Sequence, residues 1–191
     1  MPGVIAEKAL AHAFAASYVS GRKQQRYEVQ TNERVYRLDH VAEVPLVGTL
    51  RVAEERDLHY LPYWMKGFLD ECFHSNEPLS YEHAQRHLKN GTMYILEVEG
   101  LPVSMAGSTR RMPHGRSIGP VYTPPYLRGH GYATACVAML SQRVLEQGYD
   151  YCVLFTNLAN PTSNHIYQTI GYRPLGDVAE IRFSDEGRDP S

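Results

Sequence analysis

VYTPPYLRGHGYA, residues 121–133, is the stretch on which the reading of this chain turns. A strand-like Val121-Tyr122-Thr123 gives way to two prolines that cannot continue a β-ladder, and Arg128-Gly129-His130-Gly131 then opens a helix-like run at Tyr132 and Ala133. The first turn of a helix has backbone N–H groups without intrahelical partners and a partial positive charge, so it favours an anion. Gly129 and Gly131 let that backbone approach a ligand closely, Arg128 adds a cation with a planar donor fork, and Ala133 keeps the following turn slim. The stretch reads as a pyrophosphate cradle.

Spacing separates the possible owners of such a cradle. A P-loop needs a Lys and a Ser or Thr directly after its last glycine, but Tyr132 and Ala133 follow Gly131. A dinucleotide fingerprint needs a Gly or Ala at position 134, which is Thr, and an acid closing the next strand, where Asn157 stands. R-x-x-G-x-A, from Arg128 to Ala133, resembles the acyl-coenzyme A pyrophosphate loop of the GNAT N-acetyltransferase superfamily. An ordinary strand-to-helix turn competes with that reading, and the rest of the chain decides between them.

A chain of 191 residues suffices for one well-buried core, or for one domain with an extension. Hydrophobic residues at 43% and charged ones at 21% suit a globular protein, and a net charge of -2 argues against a nucleic-acid partner. No apolar run approaches the roughly 20 residues of a membrane span, and the N-terminus lacks a basic segment leading into an apolar one. The expectation is a cytoplasmic protein without a membrane partner. Cys72, Cys136 and Cys152, odd in number and set in apolar stretches, read as buried reduced thiols rather than disulfides or metal ligands.

Along the chain, Met1 to Gly21 reads as an amphipathic helix ended by Gly21. Tyr27–Val29 and Val35–Leu38 read as strands with a break at Thr31-Asn32, so residues 1–48 form a helix-plus-strand extension. Leu50–Ala53 is a strand. Leu58, Leu61, Met65, Phe68 and Cys72 then make one helical stripe, with Pro62 tolerable only in its first turn. Trp64 lies off that stripe, as a pocket wall or a partly buried surface residue. Ser80 caps a second helix, Tyr81–Asn90, on which His83 and His87 share a face; without a third ligand the pair reads as a solvated face rather than a metal site. Thr92–Val98, a Glu99-Gly100 turn, Val103–Arg110 and Ser117–Thr123 form an antiparallel meander. A helix with Ala133, Val137, Leu140 and Val144 on one face, the strand Tyr151–Phe155, and the helix NPTSNHIYQTI from Asn160 to Ile170 follow. Tyr172–Leu175 and Ala179–Phe183 read as a final hairpin, and residues 186–191 as a frayed tail.

This order, over about Leu50 to Phe183, is also that of the GNAT fold, and NPTSNHIYQTIGY from Asn160 to Tyr172 adds a second match to the cradle. The resemblance implies an α/β (α+β) fold at residues 49–185, with a mixed, mostly antiparallel sheet whose central strands splay and whose faces carry helices. It implies that Val121 and Thr123 pair with the pantetheine arm of acetyl-coenzyme A and that Arg128 to Ala133 hold its pyrophosphate. Asn157 and Asn160 would offer amides near the pantetheine, and Ser163 and Asn164 would lie on the cofactor side of the last helix. Tyr167 fills the position that protonates the departing thiolate, a sensible task for a phenol whose ordinary pKa is about 10. An N–H near Val121 or Tyr122 would stabilise the oxyanion. The glutamate that several family members place on the preceding strand is missing from RSIGPVYT, and Glu97, Glu71, His114 and Tyr122 remain as candidate bases without an assignment.

Residues 1–48 resemble the junction in a bacterial subgroup whose chains carry a degenerate acetyltransferase-like half, which implies either a shortened relative or a true start that lies upstream. The resulting expectation is transfer of an acetyl group to a small-molecule or peptide amine. A non-catalytic acyl-coenzyme A sensor, or an N-acyltransferase with another acyl donor, are the alternatives, and a homodimer through a terminal strand or the N-terminal helix is one assembly to expect.

Overall fold

The computed structural model describes residues 3–22, 25–73 and 77–185; the expected tail at 186–191 lies outside them. The described residues form eight strands, mixed but mostly antiparallel, and five α-helices, the mixed α/β class that the sequence leads one to expect. By contact density the chain divides into two compact units.

The smaller unit comprises Met1–Tyr36, Phe155–Asn164 and Pro174–Ser191. It holds β1 (Gly3–Glu7), α1 (Lys8–Val19), most of β2 (Gln25–Leu38) and most of β8 (Arg173–Asp185), with strands in the order β1-β8-β2. Ala11 and Ala15 of α1 pack on Ala179, Ile181 and Phe183 of β8. Three expectations fail here. The first turn of the supposed N-terminal helix is a strand, pairing antiparallel with β8 from Gly3–Arg182 to Glu7–Val178. The helix starts only at Lys8, where the Glu7 carboxylate accepts the N–H groups of Ala9 and Leu10 at 3.2 and 3.0 Å. No break occurs at Thr31-Asn32, since β2 runs straight through, and the Asn32 carbonyl accepts the Leu158 N–H at 3.0 Å. The final hairpin is instead one strand, because Arg34 of β2 grips Asp177 at 2.8 and 3.1 Å where the turn was expected.

The larger unit comprises Arg37–Leu154 and His165–Arg173. It holds β3 (Thr49–Val52), α2 (Leu61–Phe73), α3 (Tyr81–Lys89), β4 (Met93–Val98), β5 (Leu101–Arg111), β6 (Gly115–Tyr122) and α4 (Tyr132–Glu146). It also takes in the start of β7 (Tyr151–Asn157) and the second half of α5 (Pro161–Ile170), and its strands run β7-β6-β5-β4-β3. β3 to β6 form the expected antiparallel meander, and β6 and β7 are parallel. The hairpin between β4 and β5 turns at Glu99 and Gly100, with φ of 52° and 78°, the doubly left-handed turn that matches strand twist. The Ser80 hydroxyl caps α3 by accepting the His83 N–H at 3.1 Å.

Leu61, Trp64 and Met65 of α2 and Ala84 of α3 pack on Met93, Ile95 and Met105 of β4 and β5, each large side chain contributing about 1.5–3 kcal/mol. On α4, Cys136, Val137, Ala138, Leu140 and Val144 are buried. Burial pushes the thiols of Cys136 and Cys152 up to about 12, so both stay inert. Cys72 departs from expectation: with Glu71 and Phe73 it lies exposed in the last turn of α2. Among the described residues no helix is long and apolar enough to cross a membrane.

Candidate active site

The segment after β6 is built as an open cradle. Thr123 is buried, its hydroxyl 2.9 Å from that of Ser104 on β5, which also donates to the Tyr122 carbonyl at 3.1 Å. These bonds fix where β6 stops. A tight turn over Pro125–Leu127 redirects the chain, and Gly129 and Gly131, with φ of 83° and 77°, bring it to the start of α4. Gly131 is the N-cap of α4 and offers no side chain to its N–H groups. The first intrahelical bond runs from the Ala135 N–H to the Gly131 carbonyl at 3.0 Å, so the N–H groups of Tyr132, Ala133 and Thr134 precede it. A Cβ at Gly129 or Gly131 would meet no atom within 4 Å, which is the open side an anion needs. His130 stacks on Tyr132 with ring centroids 5.3 Å apart.

Arg128 turns away from this opening. Its Nε donates to the Thr123 carbonyl at 2.8 Å, and its Nη2 donates to both carboxylate oxygens of Glu71 on α2, each at 2.8 Å.

Beside the cradle, β6 loses its parallel partner. Pairing with β7 covers Gly115–Tyr151, Arg116–Cys152 and Ser117–Val153, while β6 runs on to Tyr122. Val121 and Tyr122 remain paired on the other side, with Ala106 and Met105 of β5. Arg116 is buried and donates to the Ser108 hydroxyl and carbonyl at 3.0 and 2.6 Å, so a fixed cation occupies the strand at which an acid would otherwise be sought.

Each candidate base has a partner or lies apart. Glu97 sits 2.7 Å from Arg51 and 3.7 Å from Arg56, Glu71 holds Arg128, and His114 lies at the opposite end of β6 from Thr123, 3.5 Å from Asp150. The Tyr122 phenol is held protonated, by burial first and then by Glu71, and it reaches over Gly67 of α2, where a Cβ would lie 2.5 Å from its oxygen.

On α5, Tyr167 is buried at 8% exposure, its ring set edge-on to that of Tyr172 with centroids 6.0 Å apart. Burial, and secondarily Cys72, raises its pKa well above the ordinary phenol value, so it carries its proton at neutral pH. Tyr172 is a structural neighbour, its hydroxyl 2.8 Å from that of Ser141.

In the smaller unit, Asn157, Asn160, Ser163 and Asn164 are brought together by local bonds. The Asn160 side chain caps α5 by accepting the Ser163 N–H at 3.0 Å, and that of Asn157 accepts the Ala159 N–H at 2.8 Å. The Asn164 amide donates to the Asn157 and Asn160 carbonyls at 3.0 and 2.7 Å and accepts the Tyr36 hydroxyl at 2.8 Å.

Three further residues are placed. His83 and His87 stack with centroids 5.0 Å apart, and the described residues hold no cluster of three metal-ligating side chains. Trp64 belongs to the core and also borders a cavity of about 370 Å³, shared with Tyr60, Tyr126 and Tyr132. What sequence reasoning missed is the partner of Arg128: Glu71 was weighed only as a base, and no local signal links residues 57 positions apart.

An FR47-like protein family model matches residues 97–181, which takes in β5, β6, the cradle, α4, β7 and α5. No curated protein matches the chain. Among solved structures, a GNAT-family acetyltransferase from Colwellia psychrerythraea superposes with a TM-score of 0.68 at 13% identity, over 96% of this chain and 66% of that one. A GCN5-related N-acetyltransferase from Sphaerobacter thermophilus gives 0.69 at 16% identity, over 98% and 62%. A ribosomal-protein-alanine N-acetyltransferase from Brucella melitensis gives 0.57 at 21% identity, over 72% of this chain and 99% of its own. The chain thus spans less than two thirds of the length of the first two. The FR47-like segment lies on the cradle, and the chain shares the fold of these acetyltransferases.

Proposed function

We propose that the chain is an N-acetyltransferase that moves the acetyl group of acetyl-coenzyme A to an amine by direct attack. The observation that carries this reading is the open turn at Gly129 and Gly131, set on the N-terminus of α4 directly after a strand that has lost its parallel partner. The N–H groups from Gly129 to Thr134 suit a pyrophosphate, and the unpaired edge of β6 around Val121 to Thr123 suits the amide-bearing pantetheine arm. Val121, Tyr122 and Thr123 are the proposed pantetheine contacts, and the main chain of the loop from Arg128 through Gly129, His130, Gly131 and Tyr132 to Ala133 lines the phosphates, with the Arg128 side chain held by Thr123 and Glu71. Asn157, Asn160, Ser163 and Asn164 are proposed to contact the cofactor as the family resemblance implies.

In the reaction the nitrogen of a neutral amine attacks the thioester carbonyl, the C–N bond forms, the C–S bond breaks, and the proton that the nitrogen loses passes to solvent water, from which the Tyr167 phenol is reprotonated. Holding both reactants together supplies much of the rate. An N–H at Val121 or Tyr122 receives the oxyanion, and Tyr167 gives its proton to the departing thiolate. That phenol, held protonated by burial, is suited to an acid and not to a base.

The test is to incubate the protein with acetyl-coenzyme A and a broad panel of amines while following free thiol and product mass. Amine-dependent thiol release with a mass gain of one acetyl group is expected. Tight cofactor binding without turnover would make the chain an acyl-coenzyme A sensor, and a different co-purified thioester would change the acyl group. Tyr167→Phe should lower kcat by about tenfold to a hundredfold with little change in coenzyme A affinity. Equal loss of both, or of neither, would remove the general-acid role.

A further inference from the structure

The only permanent cation in the cradle loop is Arg128, and its side chain is engaged by protein partners. Of the three nitrogens of the Arg128 guanidinium, Nε is spent on the Thr123 carbonyl and Nη2 on Glu71, all at 2.8 Å. The ring of Tyr122 lies 5.7 Å from the same guanidinium. One turn earlier on α2, Gly67 receives the Tyr122 hydroxyl at a distance that leaves no room for a side chain. Gly67 and Glu71 are four residues apart and share a helix face. That face therefore meets the end of β6 twice, by close approach at Gly67 and by charge at Glu71.

We infer that Glu71 and Arg128 form a brace that positions α2 against the end of β6, so that the Arg128 side chain serves this contact and not the phosphates of the ligand. The inference rests on the acyl-coenzyme A reading of the cradle and sharpens it. Glu71 is a positioning residue, acting through Arg128 on the Thr123 carbonyl, and so on the strand edge that would face the pantetheine. Its side chain and that of Arg128 are each 46% exposed, so the pair can be broken without opening the core. Losing the brace should loosen the approach of α2 to the reacting end of β6 and leave the anion cradle intact.

Coenzyme A binding by calorimetry and thermal unfolding without ligand, both on the full chain, test this in Arg128→Ala, Glu71→Gln and the double variant. Each single change should lower Tm by about 2–4 °C at most, and the double should do no worse than the larger single, because the two remove one interaction. Coenzyme A affinity should stay within about threefold in all three, as expected where no charge-assisted phosphate contact has been removed. With the best amine of the panel, acceptor KM should rise while acetyl-coenzyme A KM holds, and Arg128→Glu combined with Glu71→Arg should restore it. Additive Tm losses would overturn the brace. So would a loss of tenfold or more in coenzyme A affinity for Arg128→Ala, the mark of a direct charge-assisted contact, especially if Glu71→Gln tightened binding. Failure of the unaltered protein to bind coenzyme A would break the acyltransferase reading instead, and the thermal cycle would still decide the brace.

Discussion

Two guanidinium–carboxylate pairs stand at the two ends of α2, and they are built for different tasks. Before its first turn, Arg51 holds Asp57 at 2.7 and 2.8 Å with side-chain exposures of only 18% and 2%. In its last turn, Glu71 holds Arg128 at the same 2.8 Å with both partners 46% exposed. The bond lengths match and the surroundings do not. Around Asp57 every acceptor site is used: the Glu54 N–H donates at 2.7 Å, the Tyr60 hydroxyl at 2.5 Å, and Arg51 also reaches Glu97. A buried charge with that many partners is a commitment of the fold, since removing one member strands the other away from water. An exposed pair is screened and adds little to stability, so it can be broken without disturbing the core. Geometry alone would rank the two equal; burial separates a tie that holds the fold from one that adjusts the site.

The largest expected effect follows from the buried end. Asp57→Ala should cost about 3–5 kcal/mol of unfolding free energy, measured in denaturant, because Arg51 keeps only Glu97 and the Glu54 N–H and Tyr60 hydroxyl lose their buried acceptor. A loss below about 1 kcal/mol would put the two pairs in one class. Tyr60→Phe removes one hydrogen bond to that carboxylate and should cost about 1.5–3 kcal/mol with coenzyme A affinity unchanged. Acid sharpens the contrast further. Burial works to raise the Asp57 pKa, but Arg51, Tyr60 and the Glu54 N–H outweigh it and hold the carboxyl below its ordinary value of 3.8. A carboxyl depressed in the folded state contributes stability that is complete above that ordinary value and is lost as pH falls through the lower, folded one. Stability measured below pH 3.8 should therefore fall less steeply in Asp57→Asn than in the unaltered chain. The smallest effect belongs to the exposed end, where Arg128→Ala should change stability by no more than about 1 kcal/mol while still moving acceptor KM.

The parts legible in the sequence are those whose cause is local. Ser80 as a cap, Glu99-Gly100 as a turn, Pro62 in a first turn and Gly148 after α4 each act within a few residues of themselves, and the structure has them in place. The misreadings need a distant partner to correct. Gly3–Glu7 becomes a strand because β8 lies beside it, and Asp177 sits in a strand and not a turn because Arg34 holds it. Cys72 continues the apolar stripe of α2 in sequence, but the helix ends in exposed residues there. At the candidate site the cradle is legible for the same local reason, through its glycines and the helix they open. The engagement of Arg128 is not, because its carboxylate is supplied by another helix.

The chain has one tryptophan, and its position makes α2 observable by light. Trp64 is 93% removed from solvent by its 7% exposure, lies 4.6 Å from the Tyr60 ring, and borders the cavity that Tyr126 and Tyr132 share on either side of the cradle. Excited at the red edge of its absorption, beyond that of the 14 tyrosines, a single indole so placed gives an emission spectrum with one source and without added dye. Unfolding at the Asp57 end and small adjustments at the cradle should then be separable in one cuvette, the first as a shift to longer wavelength and the second as a change in intensity alone.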